Sequence, residues 1–252
     1  MVLILNPAMT SKEKTTNGHG SSRPLTPGIY VATVVFFDPE TEDIDFKTVA
    51  SHAIRLARAG ITGITVQGSN GEATHLSHDE RKAVTTRTRE ALDAAGFTSM
   101  PLIVGCGAQS TRETISLCKE AHQSGGDYAL VLPPSYYQGL HSPSTITDFF
   151  TEVADQSPIP IIIYNFPGGA AGLDLDSSTL IKLGRHPNIV GCKFTCGNTG
   201  KLNRVAAALK DRDDDEAPFL CFGGSGDFTL PTLMAGARAS SQGLPISRRS
   251  CV

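Results

Sequence analysis

The chain has 252 residues, of which 40% are hydrophobic and 19% charged, with a formal net charge of −3. That length and balance suit a globular protein with one α/β barrel or two smaller domains. They give no electrostatic reason to expect nucleic acid or an anionic membrane as partner. Six cysteines are scattered, at Cys106, Cys118, Cys192, Cys196, Cys221 and Cys251. They form no Cys-x-x-Cys pair, and no His pair sits at zinc-ligand spacing, so no metal site is expected. They read as reduced thiols of an intracellular protein. No apolar run is long enough to span a bilayer. Met1 to Leu5 is too short for a signal peptide, and the first 22 residues contain no Arg. A cytoplasmic location is therefore expected, with a mitochondrial one only weakly supported.

Residues 1–27 are rich in Ser, Thr, Gly, Lys and Pro and read as a flexible tail. From residue 28 onwards one unit recurs. A β-branched run over 28–36 is followed by a helix over 45–59, with apolar residues at helical spacing and Gly60 as its stop. A short strand over 63–66 leads into the small-residue loop 67–72. Ser77-His78-Asp79-Glu80 then has capping-box spacing, as does Ser110-Thr111-Arg112-Glu113 at the head of a helix running to about 124. Strands are expected over 101–105, 127–132, 159–164, 189–194 and 219–222. Helices are expected over 144–156, 177–185, 199–210 and 227–235, and a doubtful eighth strand near 237–243. Continuous apolar strands alternating with amphipathic helices imply parallel strands covered by helices. Seven or eight such units in one chain predict a (β/α)8 barrel over 28–252.

In that fold the site lies where the strands end, and the polar clusters of this sequence follow strands. Lys193 ends the apolar strand 189–194. Burial lowers a lysine's pKa, and the free amine can attack a ketone to form a Schiff base. Read alone, the same residue is also an edge-strand lysine snorkelling to water. Tyr164 ends the preceding strand and can relay protons, or be a core tyrosine with a satisfied hydroxyl. Gly68, Ser69 and Asn70 open a loop whose N–H groups and Ser69 hydroxyl can bind a carboxylate, or which is a plain turn. Tyr136 and Tyr137 follow a proline break and fit packing or interface roles. Gly223 and Gly224 begin a Gly-Gly-Ser-Gly stretch that can cradle phosphate or let a substrate pass close to the backbone.

The loop Gly68-Ser69-Asn70-Gly71-Glu72, the stretch Pro134 to Tyr137, the motif Tyr164-Asn165-Phe166-Pro167 and Gly191-Cys192-Lys193 together resemble the dihydrodipicolinate synthase / N-acetylneuraminate lyase family of class I aldolases, over about residues 28–236. The resemblance implies that Lys193 forms the pyruvate Schiff base and that Tyr164 is the proton shuttle. It places Ser69 and Asn70 at the hydroxyl and carboxylate-binding positions. It also implies that Tyr137 enters the site of a neighbouring subunit, and hence a homo-oligomer, a dimer or tetramer. No cofactor is expected beyond the covalent Schiff base, and the partner is a small 2-oxo acid.

Dihydrodipicolinate synthases carry an arginine shortly after Tyr-Asn-x-Pro. Here that stretch is Gly168-Gly169-Ala170-Ala171-Gly172. The motifs look more like the 4-hydroxy-2-oxoglutarate and 2-keto-3-deoxy-sugar-acid aldolases. The rival readings are pyruvate–aspartate semialdehyde condensation, an inactive barrel acting as an interaction protein, and a phosphate-handling barrel. The family continues past strand 8 into a helix and a small helical domain, so the barrel is expected to be incomplete at its C-terminus and poorly closed between its first and last strands.

Overall fold

A computed structural model describes residues 23–137, 139, 142–210, 212, 218–237 and 239–242. Among the described residues, eight parallel strands alternate with seven helices. The strands are β1 (Gly28–Ala32), β2 (Gly63–Val66), β3 (Leu102–Gly105), β4 (Tyr128–Val131), β5 (Ile161–Asn165), β6 (Ile189–Phe194), β7 (Leu220–Gly223) and β8 (Ala239–Gln242). The helices are α1 (Phe46–Arg58), α2 (His78–Ala94), α3 (Thr111–Gln123), α4 (Pro143–Gln156), α5 (Ser177–Leu183), α6 (Thr199–Ala208) and α7 (Thr229–Met234). The sheet closes into a barrel, with β8 paired to both β7 and β1. The doubtful eighth strand is thus present. The expected weak seam is instead a four-residue register of Gly28–Val31 against Ala239–Gln242.

Side-chain caps fix the helix starts. Asp45 accepts from the Thr48 amide, and Ser77 and Glu80 form the full reciprocal box. Such a cap is worth about 1 kcal/mol. Ser110 caps Glu113 in one direction only, because the Glu113 carboxylate reaches His78 at 2.8 Å instead. The first strand is shorter than expected, ending at Ala32. Beyond it the Thr33 amide donates once more to Thr65. The loop 68–75 holds two short 3-10 turns, Ser69–Gly71 and Ala73–His75, joined by Glu72 in the left-handed conformation (φ 51°). Of the expected tail 1–27, only residues 23–27 are described. Residues 1–22 lie outside the described residues, but Leu25 is buried in the barrel interior, its amide donates to the Tyr128 hydroxyl, and Arg23 pairs with Asp127 at 3.0 Å.

Two apolar layers result. The outer one packs helices onto the sheet, with Ile64, Val104, Ile163, Cys192 and Phe194 among its members. The inner one fills the barrel with Tyr30, Ile103, Ile162, Phe222 and others.

The strand registers also fix the rings inside the barrel. In a barrel whose shear equals its strand number, residues at one height are found by taking the register partner and stepping one residue on. From Lys193 this walk gives Gly223, Ser241, Val31, Thr65, Val104, Leu130 and Ile163, and returns to Lys193. The closure establishes the shear. Alternate strands point inward, so Thr65, Leu130, Lys193 and Ser241 form one ring. Beneath it lies Tyr30, Ile103, Ile162 and Phe222, and above it Ala32, Gly105, Tyr164 and Gly224. The upper ring holds one large side chain and three small residues, which leaves room above Lys193 on the side where the strands end.

Candidate active site

Tyr164 and Lys193 are register partners on neighbouring strands. The Lys193 Nζ lies 4.6 Å from the centroid of the Tyr164 ring. Lys193 is 4% exposed. Burial lowers its pKa from 10.5 to about 8. At about 1.4 kcal/mol per unit, burial favours the neutral amine by roughly 3 kcal/mol, and about a tenth of the amine is neutral at pH 7 rather than about one part in three thousand. The edge-strand alternative is excluded, since β6 lies between β5 and β7. The rate of imine formation with pyruvate should therefore rise about tenfold from pH 6 to pH 7 and level off above about pH 8.5. Stopped-flow or borohydride quenching across that range checks this, and a midpoint near 10 would show a solvated lysine.

The Tyr164 hydroxyl lies 3.5 Å from Ser69 Oγ. Burial raises the Tyr164 pKa, and the Ser69 and Thr195 hydroxyls beside it pull it back. It is thus a protonated phenol held at the site by a hydroxyl of the Ser69 loop. Asn70 Nδ2 is 3.5 Å from the Ala32 carbonyl, which ties the loop across the mouth to β1. Gln67, with φ 54°, turns the chain into that loop. Its side chain donates to the Arg81 carbonyl and to Thr85 Oγ1, anchoring the loop to α2. A cavity of about 230 Å³ lies between this loop and the ends of β3 and β4, with Gly68, Gly105, Leu130, Leu132 and Tyr164 in its wall. It reaches Tyr164 and Leu130, the ring neighbour of Lys193, although Lys193 is not itself in the wall.

Over residues 26–243 the sequence matches the dihydrodipicolinate synthetase family. The chain belongs to that family. Among curated relatives of the family it is 57% identical over 233 residues to "Probable 4-hydroxy-2-oxoglutarate aldolase, mitochondrial" of Emericella nidulans, covering 92% of this chain and 73% of that one. It is 50% identical over 234 residues to the L-threo-3-deoxy-hexylosonate aldolase of Aspergillus niger, covering 86% and 70%. Among solved structures, a prophage member of the family from E. coli K12 in complex with pyruvate superposes with TM-score 0.77 at 28% identity, over 86% of this chain and 70% of that one. No helix among the described residues is long and apolar enough to cross a membrane.

The other predicted site residues do not all converge on Lys193. Tyr137 is 64% exposed and Tyr136 79% exposed, with their rings edge to face at 4.9 Å. Gly223 faces outward. A Cβ there would lie 2.5 Å from Thr232 Oγ1 of α7, so this glycine admits the helix to the sheet. Gly224 faces inward, where a Cβ would lie 2.0 Å from Thr195 Oγ1. It lets Thr195, two residues above Lys193, approach the wall. The stretch after β5 follows the same logic. A Cβ on Gly169 would lie 2.7 Å from the Phe166 ring, and that ring stacks on Tyr164 at 5.5 Å and 20°. The chain here wraps Phe166, which backs the tyrosine, where a synthase would carry its arginine.

One supporting group was not legible in the sequence. Asn165, next to Tyr164, donates to Asp174 at 2.8 Å and accepts from the Leu175 amide. Asp174 also pairs with the buried Lys201 of α6. Lys201 is separated from Asp174 by 27 residues, so no local spacing announces the pair. Asp174→Ala leaves a buried ammonium without its counter-ion. Because Asp174 is itself 43% exposed, the expected loss is about 2–3 kcal/mol, below that of a fully buried pair. Urea unfolding measures it, and an unchanged midpoint would show that Lys201 finds water instead.

Proposed function

We propose that this chain is a class I aldolase that cleaves a 4-hydroxy-2-oxo acid to pyruvate and an aldehyde, and runs the reverse condensation. The observation that carries the reading is a lysine made partly neutral by burial, in register with a tyrosine, under the mouth of a closed barrel. The Lys193 amine attacks the C2 ketone. Loss of water gives an iminium that accepts the electron pair of the breaking C3–C4 bond, leaving an enamine. Tyr164, within reach of Ser69, gives its phenol proton to the departing C2 hydroxyl as the carbinolamine collapses, and the phenolate so formed takes the C4 hydroxyl proton, which restores the phenol. Ser69, Asn70 and the Gly68 backbone hold the substrate carboxylate, and Gly224 keeps the wall beside Tyr164 thin. The Schiff base does the work for which other lyases use a cofactor.

The aldolase names of the fungal relatives support 4-hydroxy-2-oxoglutarate or a 2-keto-3-deoxy-hexonate over aspartate semialdehyde, and the arginine-free, tightly wrapped stretch after β5 further supports the hexonate, whose aldehyde product carries no carboxylate. No bidentate carboxylate clamp can be made there. kcat/KM for the two cleavages should exceed that for pyruvate–aspartate semialdehyde condensation by at least about 10²-fold, the scale set by a missing charged contact. A preference for the semialdehyde would overturn the substrate assignment. The exposed Tyr136–Tyr137 pair supports association with a second copy of the chain, with Tyr137 as the residue offered to it.

A further inference from the structure

The ring that carries Lys193 is not apolar. Of its other three members, only Leu130 is a hydrocarbon, while Thr65 and Ser241 bring hydroxyls into the barrel interior. Thr65 is 1% exposed and Ser241 2%. Neither hydroxyl has a hydrogen-bond partner among the described residues. Their neighbours in the ring beneath, Tyr30, Ile103, Ile162 and Phe222, belong to the inner apolar cluster, and the Tyr30 hydroxyl is turned away to the Thr26 carbonyl. Two buried hydroxyls at one height with no partner among the described residues are costly unless something polar sits between them. A valine and an alanine would fill the same positions without that cost. Ser241 is the ring neighbour of Lys193 on one side, and Thr65 lies across the barrel from it.

We propose that Thr65 and Ser241 are positioning residues that hold one water molecule in the floor of the site, and that this is the water exchanged in making and breaking the Schiff base. The inference rests on the Schiff-base reading above. When Nζ adds to C2, the carbonyl oxygen takes one proton and becomes a hydroxyl. On a second proton the C2–O bond breaks, the oxygen leaves as water, and the nitrogen lone pair closes C=N⁺. Hydrolysis runs the same steps backwards and needs a water at the same carbon. A site of two hydroxyls, within the polar partner number a buried water requires, receives the departing molecule without sending it through the apolar ring below, exchanges it with solvent through the mouth, and presents a water to C2 for hydrolysis.

The test uses pyruvate alone, labelled with ¹⁸O at C2 and incubated with the whole chain in D₂O. Each round of imine formation and hydrolysis releases the ¹⁸O. Each imine–enamine step places deuterium at C3. In Thr65→Val and Ser241→Ala, loss of ¹⁸O should slow about tenfold or more. The imine should then live longer, so pyruvate released per visit should shift from singly to triply deuterated. Thr65→Ser, which keeps a hydroxyl, should restore the pattern of the unmodified chain. If ¹⁸O loss is unchanged in both hydroxyl-free variants, or if it falls with the deuterium distribution staying single, the hydroxyls do not handle water and the proposal fails. An unmodified chain that exchanges neither label would instead remove the Schiff-base reading itself.

Discussion

Lys193→Arg should reduce aldolase turnover to background, a loss of at least about 10⁴-fold given the usual scale of enzymatic acceleration. Arginine keeps the positive charge and the length, but its guanidinium stays protonated and forms no imine. The variant also places a permanent charge in a position that is 4% exposed, so it weakens the fold as well. Lys193→Met separates the two effects. It removes the amine and the desolvation cost together, so it should be equally inactive yet melt no lower than the parent, as is common where a site group is held against its own solvation. Activity above background in Lys193→Met, with the fold intact, would place the chemistry elsewhere.

Tyr164→Phe should lower kcat by about 10²–10³-fold, the range of a positioned acid–base group. The substitution leaves the ring, its stacking on Phe166 and its place over Lys193 in position, and removes only the hydroxyl that faces Ser69. Imine formation should continue at a lower rate, because the amine is still neutral to the same degree. Retro-aldol cleavage should suffer most, since the C4 hydroxyl proton then has no acceptor. A kcat within threefold of the parent would make Tyr164 a wall residue and move proton transfer to Thr195 or Ser69.

Much of this architecture was legible in the chain because its signals are local. The apolar runs before Gly68, Pro133, Asn165 and Lys193 and the caps at Ser77 and Ser110 are each set by neighbours within a few residues. Lys193 and Tyr164 were found for the same reason: each ends a buried strand, and the barrel rule then puts both at one mouth. What the sequence could not give depends on register. Gly223 and Gly224 are adjacent and alike on paper, yet one faces α7 and the other the site, because successive strand residues point to opposite faces. The ring of Thr65, Leu130, Lys193 and Ser241 joins four strands spread over nearly 180 residues and follows only from pairings that the closed sheet fixes. The Asp174–Lys201–Asn165 contact is hidden in the same way. The Ser-, Thr- and Gly-rich composition of 1–27 hides Leu25, which only the folded barrel reveals as part of its inner apolar layer, held by the Tyr128 hydroxyl.

Treating the chain with pyruvate and borohydride, then digesting it and weighing the peptides, tests the central claim most directly. One reduced three-carbon adduct is expected, on Lys193 alone, formed faster at pH 8 than at pH 6 and absent from Lys193→Met. An adduct on Lys201 or a surface lysine with Lys193 unlabelled, or no adduct on a folded chain that still cleaves 4-hydroxy-2-oxoglutarate, would contradict it.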